Sequence, residues 1–354
     1  MRITEVQAWK ETIPLVRPYA IAFKDVSAVA LHYVRIVTDV GIEGLGSAAP
    51  TDITGETTQA CVSALVDTAP ALLTGQDPRR LRPVTRMLRE NLHGAPGACA
   101  ALDMALYDLL SRAIGLPLVD VLGRCHDALP TSITIGIKSL EDTLAEAEEY
   151  LGRGFRCLKV KLGREFEEDI GRLRRLREYV GNDVLIRVDA NQGYTLEEAR
   201  RIGALATDLD LEHVEQPLPA HAADVMRELS PEMRAMMAAD ESLHTETDAF
   251  RLIREPVPFG IFNIKLMKCG GITGALAIAN VAELAGIRLM WGCMDESVIS
   301  IAAALHAAYA CPTTRFLDLD GSFDLSRDVA TGGFSLQEGH LHVAEEPGLG
   351  VRLR

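Results

Sequence analysis

The chain has 354 residues, of which 48% are hydrophobic and 24% are charged, so it is long and apolar enough to bury the core of one large barrel or two domains. Asp and Glu total 50 against 36 Lys and Arg, a net charge of -14, which argues against nonspecific binding to nucleic acid or to an anionic membrane. An excess of carboxylates instead suits a metal ion or a cationic ligand.

Cysteine usage and the N-terminus both indicate an ordinary cytoplasmic protein. The seven cysteines are scattered and contain no Cys-x-x-Cys pair, which indicates neither zinc nor redox chemistry, and we expect them to be reduced core residues. The N-terminal MRITEVQAWK lacks the pattern of a signal peptide, and no run of about 18 apolar residues occurs. We therefore expect a cytoplasmic protein with no membrane partner.

The first 130 residues predict an α+β capping domain. Strand patterns lie at Ile3–Trp9, Ala30–Val37 and Ile42–Ser47, and the apolar spacing of GACAALDMALYDLLSRAIG predicts a helix that ends at Gly115. Gly44, Gly46 and Ala48 loosely resemble a dinucleotide-binding fingerprint. The helix and acidic residue that should follow at fixed distances are not evident, which disfavours that interpretation.

From residue 131 the pattern changes to eight short apolar runs: SITIGI, CLKVKLG, VLIRVDAN, LEHVEQPL, AMMAADES, GIFNIKL, RLMWGCM and RFLDLDG. Amphipathic helical stretches such as LEDTLAEAEEYLGRG separate them, and this alternation predicts a parallel sheet with helical crossovers. Eight such units in residues 131–321 predict a (β/α)8 barrel. Residues 322–354 hold turn signals and little pattern, and we expect this segment to pack back on the capping domain.

Charged residues end most of the predicted barrel strands, where barrel enzymes place their chemistry. Asp189, Glu215 and Asp240 follow one another at steps of 26 and 25 residues, one βα unit each, so three consecutive strands present a carboxylate at the same height. Three converging carboxylates repel one another unless a cation lies among them, and hard oxygen ligands suit Mg2+ best, with Mn2+ as a substitute. The alternative is three separate salt bridges with arginines of the barrel.

Two lysines of the run FRCLKVKLGR lie one residue apart. In a strand Lys159 and Lys161 share one face; the alternative is a half-exposed strand with a solvated face. Lys161 on the second strand and Lys265 on the sixth come from opposite sides of the barrel, the arrangement needed to remove a proton from one face of a carbon and return it to the other. Such a base must be partly neutral, and the ammonium of Lys159 disfavours the charged form of Lys161.

The KxK pair, DAN, EQP, ADES and KLMKCGG occur in an order that resembles the muconate-lactonizing subgroup of the enolase superfamily. ALDMALYDLLSRAIGLPL also resembles the helical signature of that family's capping domain, so the resemblance covers essentially the whole chain. It implies a barrel closed by N-terminal loops, with Asp189, Glu215 and Asp240 as Mg2+ ligands. It also implies that Lys161 and Lys265 form the acid/base pair, while Lys159 is a candidate for binding the substrate carboxylate.

The eighth strand, FLDLDG, narrows the resemblance to the dipeptide epimerases. In that group two aspartates of a DxD pair receive the ammonium of the substrate's N-terminal residue, and alternation places Asp318 and Asp320 on one face. The alternative is two acids that only cap a strand end. The resemblance implies inversion of the α-carbon of the C-terminal residue by 1,1-proton transfer through an enediolate.

Four further residues bear on which dipeptide is bound. In L-Ala-D/L-Glu epimerases, an arginine that contacts the side-chain carboxylate of the substrate occupies the position that resembles Lys24 here, which favours an acidic second residue. Asp295 in GCMDES is instead a candidate partner for a basic side chain. A strand-end residue constrains a ligand better than a loop residue, so we expect a preference for dipeptides with a Lys or Arg. Thr134 and Cys293 also lie at strand ends near the site.

Several other functions remain open from the sequence. L-Ala-D/L-Glu epimerase, N-succinylamino acid racemase, o-succinylbenzoate synthase and cycloisomerase keep the same fold and first proton abstraction. A non-catalytic scaffold should have lost part of the acid/base set, and a Schiff-base barrel needs one isolated lysine without the carboxylates. We expect a small-molecule substrate, no nucleic-acid partner, and a homo-oligomer whose size the sequence does not give.

Overall fold

Three antiparallel strands begin the chain in the computed structural model, which describes residues 1–21 and 24–354, and the side chains of all of these except 18–25. They are β1 (Ile3–Ile21), β2 (Lys24–Thr38) and β3 (Glu43–Ala48). β1 and β2 form a longer hairpin than the sequence patterns predict, with a break in register after Pro14. Pairing between the two arms lengthens them beyond the segments that alternate clearly.

Helices follow this sheet: α1 (Thr58–Val62), a π-helical turn at Ser63–Thr68, α2 (Ala69–Leu73), α3 (Leu81–Asn91), α4 (Pro96–Ile114) and α5 (Leu118–Leu122). The predicted long helix is α4, which has Pro96 in its first turn and ends at Gly115 in a left-handed conformation. It packs directly on β3, because a Cβ on Gly46 would lie 1.8 Å from the carbonyl oxygen of Ala101. The glycines that loosely resembled a dinucleotide fingerprint therefore permit helix packing.

Eight parallel strands form the predicted barrel in sequential order. After β4 (Leu129–Pro130) they are β5 (Ile133–Ile135), β6 (Cys157–Lys161), β7 (Leu185–Asp189), β8 (Leu211–Glu215), β9 (Met237–Ala239), β10 (Ile261–Ile264), β11 (Arg288–Gly292) and β12 (Thr314–Asp318). The first and last strands approach each other, since Ser132 N–H donates to the carbonyl of Leu317 at 3.0 Å and Thr131 bridges Leu317. The barrel fold with an N-terminal capping domain is confirmed.

Helices cover the outside of the barrel: α6 (Leu140–Gly152), α7 (Phe166–Val180), α8 (Leu196–Leu205), α9 (Pro231–Ala235), α10 (Glu246–Leu252), α11 (Leu266–Cys269), α12 (Ile272–Leu284) and α13 (Val298–Tyr309), with a 3-10 segment at Ala220–Glu228. Their starts follow local rules; for example, Thr195 and Glu198 form a capping box at α8. No eighth helix follows β12: residues 319–354, all of which are described, contain none.

The C-terminal segment replaces that helix with strands: β13 (Ala330–Gly332), β14 (Phe334–Gln337), β15 (His340–Val343) and β16 (Val351–Leu353). Leu325 bridges Leu15 of β1, and the N–H of Leu349 donates to Asp108 of α4 at 2.8 Å. Residues 322–354 thus contact both the hairpin and the long helix of the capping sheet.

An apolar cluster lies in the lower barrel interior, together with the buried side chains of Arg187 and His213, which pack against Phe316. Ala238, Ile261, Met290 and Phe316 form this lower cluster. The expectation that all cysteines are core residues is wrong for Cys125, which is exposed, and for Cys293, which is half-buried, because both follow regular elements at loop positions.

In the described part of the chain, no helix combines the length and the apolar character needed to span a bilayer.

Asp108 connects three parts of the structure, and its removal should destabilise the fold. The carboxylate is fully buried and accepts hydrogen bonds from Leu45 N–H at 2.9 Å, Leu349 N–H at 2.8 Å and Arg112 Nε at 2.9 Å. Asp108→Ala leaves these donors unpaired, which should cost about 3 kcal/mol of unfolding free energy. Urea denaturation measures this, with the exposed Asp67→Ala as control; equal midpoints for the two variants would contradict the assignment.

Candidate active site

The three predicted carboxylates lie side by side at the upper end of the barrel. Asp189 and Glu215 are the last residues of β7 and β8 and pair directly in register, and Asp240 follows the last residue of β9. Each is at most 1% exposed. Neighbouring parallel strands that end together therefore bring three carboxylates into one buried cluster.

The lysines predicted from the same pattern surround this cluster. Lys161 Nζ lies 2.7 Å from Asp189 Oδ2, and Lys265 Nζ lies 2.7 Å from Asp240 Oδ2. Their strands, β6 and β10, are four positions apart in the eight-stranded order and so oppose each other. The two ammonium groups thus approach the carboxylates from opposite sides.

Lys159 occupies the space between the two lysines of opposite strands. Its Nζ lies 2.7 Å from Glu215 Oε2, 2.7 Å from Asp318 Oδ2 and 3.2 Å from Asp189 Oδ2. Burial opposes its charge, but the attraction of these carboxylates is larger and raises the pKa of Lys159 well above its usual value. Lys159 is therefore a permanent cation between the acid cluster and the eighth strand.

A divalent cation fits the chemistry of the cluster. Within the described residues the side-chain positions form no ready group of three His, Cys, Asp or Glu ligands, because ammonium groups stand between the carboxylates. Glu215 Oε2 forms an ion pair with Lys159 at 2.7 Å and has no further hydrogen-bond partner among the described residues. Burial, then the charge of Asp189, raises the pKa of Glu215 to about 7. A buried carboxylate whose charged form is disfavoured by burial and by a neighbouring carboxylate is a ligand for a hard cation such as Mg2+.

The outer two carboxylates differ from Glu215 in their charge balance. Burial favours their neutral form, but Lys161 and Lys159 outweigh it and lower the pKa of Asp189. Lys265 and Lys268 do the same for Asp240. These ion pairs keep both outer carboxylates charged and available as ligands.

The pKa of Lys265 is raised rather than lowered. Burial disfavours its ammonium, but the contact with Asp240 and the charge of Glu215 outweigh it. A base needs the opposite shift. A cation bound to Asp240 competes for the same carboxylate and weakens this attraction, so the acid cluster itself links cation binding to the basicity of the lysine.

The two aspartates of the eighth strand lie together but have different partners. Asp318 accepts hydrogen bonds from Lys159 Nζ at 2.7 Å and Ser132 Oγ at 2.6 Å. Asp320 accepts one from the backbone N–H of Thr134 at 2.8 Å. Burial, then the charge of Asp318, raises the pKa of Asp320 to about 7. The pair is a buried anionic site that an incoming ammonium would stabilise.

Thr134 and Cys293 both contact this pair. Thr134 does so through its backbone, as described, and is half-buried. The thiol of Cys293 donates to the carbonyl of Asp318 at 3.2 Å and accepts from Gly321 N–H at 3.3 Å. Cys293 therefore holds the turn in which Asp320 is placed.

The two residues predicted to read side chains are placed less firmly. Asp295 lies three residues beyond the end of β11, in a half-buried loop, so the expectation that it ends a strand is wrong. The strand pairs with its neighbours only as far as Gly292. Lys24 begins β2, but its side chain lies outside the described residues.

Lys268 also contacts the acid cluster. Its ammonium meets Asp240 through both the carboxylate and the backbone carbonyl, the latter at 2.7 Å, and the carbonyl of Asn263 at 3.1 Å. It supports Asp240 from the side away from Lys265.

Three residues of the site escaped the sequence patterns. Asn263 Nδ2 donates to Glu215 Oε1 at 2.7 Å, Gln216 accepts from the N–H of Asp240 at 2.9 Å, and Ser132 donates to Asp318. Strand alternation places Asn263 on the same inward face as Lys265, so this pattern would have identified Asn263 from the sequence. Gln216 has a positive φ of 33°, and no sequence pattern indicates its contact.

The chain forms a parallel barrel with a capping domain. An acid cluster lies at three strand ends, with lysines on either side. Together these features define an enzyme of the enolase type. Family comparison agrees. Residues 3–123 match the N-terminal domain of mandelate racemase / muconate lactonizing enzyme, and residues 142–354 match the enolase C-terminal domain-like family. The chain belongs to this mandelate racemase / muconate lactonizing enzyme family of the enolase superfamily, which confirms the resemblance drawn from the motifs.

Individual relatives are similar along their whole length. The chain is 54% identical over 352 residues to the L-Lys-D/L-Arg epimerase of Methylococcus capsulatus, covering 99% of each protein. It is 35% identical to the L-Ala-D/L-Glu epimerase of Clostridium acetobutylicum, again over 99% of each. The crystal structure of the dipeptide epimerase from Methylococcus capsulatus with Mg and L-Arg-D-Lys has a TM-score of 0.98 and 55% identity, covering 99% of both chains.

The charge balance of the acid cluster predicts a pH-dependent stability that a divalent cation removes. The pKa of Glu215 lies at about 7 in the fold against 4.5 ordinarily, so the folded state holds this proton more tightly than the unfolded state. Without a cation, the unfolding free energy should fall between pH 4.5 and pH 7, by about 3 kcal/mol from this group.

Urea denaturation in EDTA and in saturating MgCl2 across this pH range measures the effect. Mg2+ should reduce the slope by the contribution of Glu215, because a bound cation favours the charged carboxylate, and Glu215→Gln should reduce it by the same amount in EDTA. Identical slopes with and without Mg2+ in the wild type would contradict a cation site at this cluster.

Proposed function

We propose that this protein is a Mg2+-dependent dipeptide epimerase that inverts the α-carbon of the C-terminal residue by 1,1-proton transfer through an enediolate. It is an isomerase. The observation that carries the proposal is the placement of Lys161 and Lys265 on opposite strands with three buried carboxylates between them. The identity with dipeptide epimerases over the whole chain supports it.

Asp189, Glu215 and Asp240 would hold the metal. When bound, Mg2+ binds the substrate carboxylate and stabilises the negative charge that develops on it. Asn263 holds Glu215 in place, and Lys268 holds Asp240. These contacts orient the ligands before the cation arrives.

Lys161 and Lys265 carry the proton on the two faces of the α-carbon. One lysine removes the proton from its face as a neutral amine, while the other, as an ammonium, returns a proton to the opposite face. Lys265 is 5% exposed, which protects the exchanging proton from bulk water. Lys161 is more open, with a side chain 28% exposed.

Asp318 and Asp320 recognise the free N-terminal ammonium of the dipeptide, Ser132 and Thr134 fix the two carboxylates, and Cys293 shapes the turn between them. Lys159 is shared between Asp318 and Glu215, so it links the ammonium site to the metal site and lies where it would contact the substrate carboxylate. Substrates without a free ammonium, such as N-succinylamino acids and muconates, leave Asp318 and Asp320 without a ligand.

The preferred substrates are dipeptides with a basic residue. Asp295 adds a carboxylate near the site, and its charge helps to raise the pKa of Glu296 and of Asp324, so it lies close to both. The M. capsulatus relative is described as an L-Lys-D/L-Arg epimerase, which supports this preference over the acidic one that Lys24 would favour.

The protein works as a cytoplasmic homo-oligomer in this proposal. Residues 1–130 form the capping domain, 131–321 the catalytic barrel, and 322–354 the segment that returns to the capping domain. The hydrogen bonds of Asp108 to Leu45 and Leu349 support this last assignment.

Single-lysine variants test the two-base mechanism. In D2O with Mg2+, Lys161→Ala and Lys265→Ala should each lower epimerisation by about 1,000-fold. Each should still exchange the α-proton of one epimer only, and the two variants should exchange opposite epimers, because each retains the base on one face. NMR of L,L- and L,D-dipeptides follows this exchange, with Lys10→Ala as control. Loss of exchange for both epimers in either variant, with the fold intact, would contradict the assignment.

Substitution of Asp295 tests the substrate preference. Asp295→Asn should lower kcat/KM for dipeptides with Lys or Arg by about tenfold, because a charged contact is lost. Activity toward Ala-containing neutral dipeptides should change little. Competition among pooled dipeptides, analysed by mass spectrometry in D2O, ranks the substrates, with the exposed Asp224→Asn as matched control. An unchanged ranking would remove Asp295 from specificity and leave the epimerase proposal intact.

A further inference from the structure

A cavity, here called the α3 cavity, lies between the capping domain and the barrel. Its volume is about 780 Å³. One wall is α3, with Arg82, Arg86 and Arg89, and the floor includes Lys268 of α11 and Gly270, which follows this helix. Asp189, Glu215 and Asp240 do not line it, so it is separate from the acid cluster.

The cavity is positively charged in a chain of net charge -14. Arg82 makes no ion pair with any residue that the structure describes. The pair of Arg86 with Glu90 is highly exposed and therefore weak. Arg89 reaches Glu246 at 2.7 Å. Glu246 and Asp240 balance the charges of Arg89 and Lys268, so Arg82 and Arg86, against Glu90, supply the excess positive charge of the cavity, which favours an anionic ligand.

The remaining surface of the cavity is apolar. Leu92, Pro96 and Cys99 line it beside the arginines, and burial raises the pKa of Cys99 above its usual value, so this thiol stays neutral. A volume of this size falls in the range of small-molecule sites, which combine an apolar lining with a few polar groups. Arginine forks bind phosphate and carboxylate oxygens in pairs.

We propose that the α3 cavity is a regulatory binding site for a small organic oxyanion, a phosphate monoester or carboxylate with an apolar body. Arg82 and Arg86 bind the oxyanion, and the apolar wall takes the organic part. This goes beyond the proposed function, and its binding step does not depend on that function.

The floor of the cavity leads directly to the active site. Lys268 bonds to the carbonyls of Asp240 and Asn263 at 2.7 and 3.1 Å, and Lys265 is the N-cap residue of α11, whose last residues line the cavity. A ligand on this floor therefore contacts the helix that follows a catalytic lysine. Occupancy should alter kcat without excluding the dipeptide.

Isothermal titration calorimetry with phenyl phosphate, on the full-length protein saturated with Mg2+, tests the proposal. Arg82→Gln/Arg86→Gln should weaken binding about tenfold or more, because two charge-assisted contacts are lost. Both residues are exposed, so the fold should persist, and circular dichroism checks it. The control is Arg79→Gln, an exposed arginine that pairs with Asp77 and does not line the cavity. It should bind as the wild type does.

Steady-state kinetics distinguish binding of phenyl phosphate in the α3 cavity from binding in the active site. Phenyl phosphate should change kcat at saturating dipeptide in the wild type, and this change should disappear in the double variant. If phenyl phosphate competes with the dipeptide, and this competition persists in the double variant, the probe binds in the active site and the proposal is overturned. Absence of binding, or equal binding by wild type and double variant, would do the same. A loss of oligomer mass in Arg82→Glu/Arg86→Glu would instead show that a second copy covers the cavity, and would also overturn it.

Discussion

The repulsion among Asp189, Glu215 and Asp240 is the constraint on which the site depends. Three carboxylates at adjacent strand ends, each nearly inaccessible to water, are unfavourable unless positive charge surrounds them. Lysines of the barrel supply that charge from both sides, and a hard cation completes it. In the proposed function the same groups would serve the reaction, because the charge that stabilises the acids would also stabilise a developing enediolate.

The barrel supplies this arrangement through its geometry. Parallel strands end at a common height, so one acid per βα unit gives a cluster without any loop having to hold it. Lower in the barrel, Ala238, Ile261, Met290 and Phe316 form an apolar cluster beside the buried Arg187 and His213. The capping domain is fixed to the barrel by buried carboxylates of α4. Asp103 accepts from the N–H of Thr273 at 3.0 Å and from its hydroxyl at 2.6 Å, and Asp108 reaches β3 and the C-terminal segment.

The residues proposed to bind the substrate differ in how rigidly the fold holds them. Asp318 ends a strand, and Asp320 follows it in a turn held by Cys293 and by the N–H of Thr134. Asp295 lies in a loop beyond its strand. In the proposed function, the ammonium would be recognised by residues held by the barrel, whereas side chains would be recognised from a loop.

The sequence by itself determined the barrel, its strand ends and the main charged residues, because strand alternation and βα spacing are local and repeat along the chain. It predicted Lys159, Lys161 and the three acids at one end of the barrel. Only the tertiary structure decided which charges meet. Asn263 on Glu215, Ser132 on Asp318 and the shared position of Lys159 are contacts between residues far apart in sequence. The length of the β1–β2 hairpin and the missing eighth helix were likewise decided by pairing with distant segments, for which no local pattern exists.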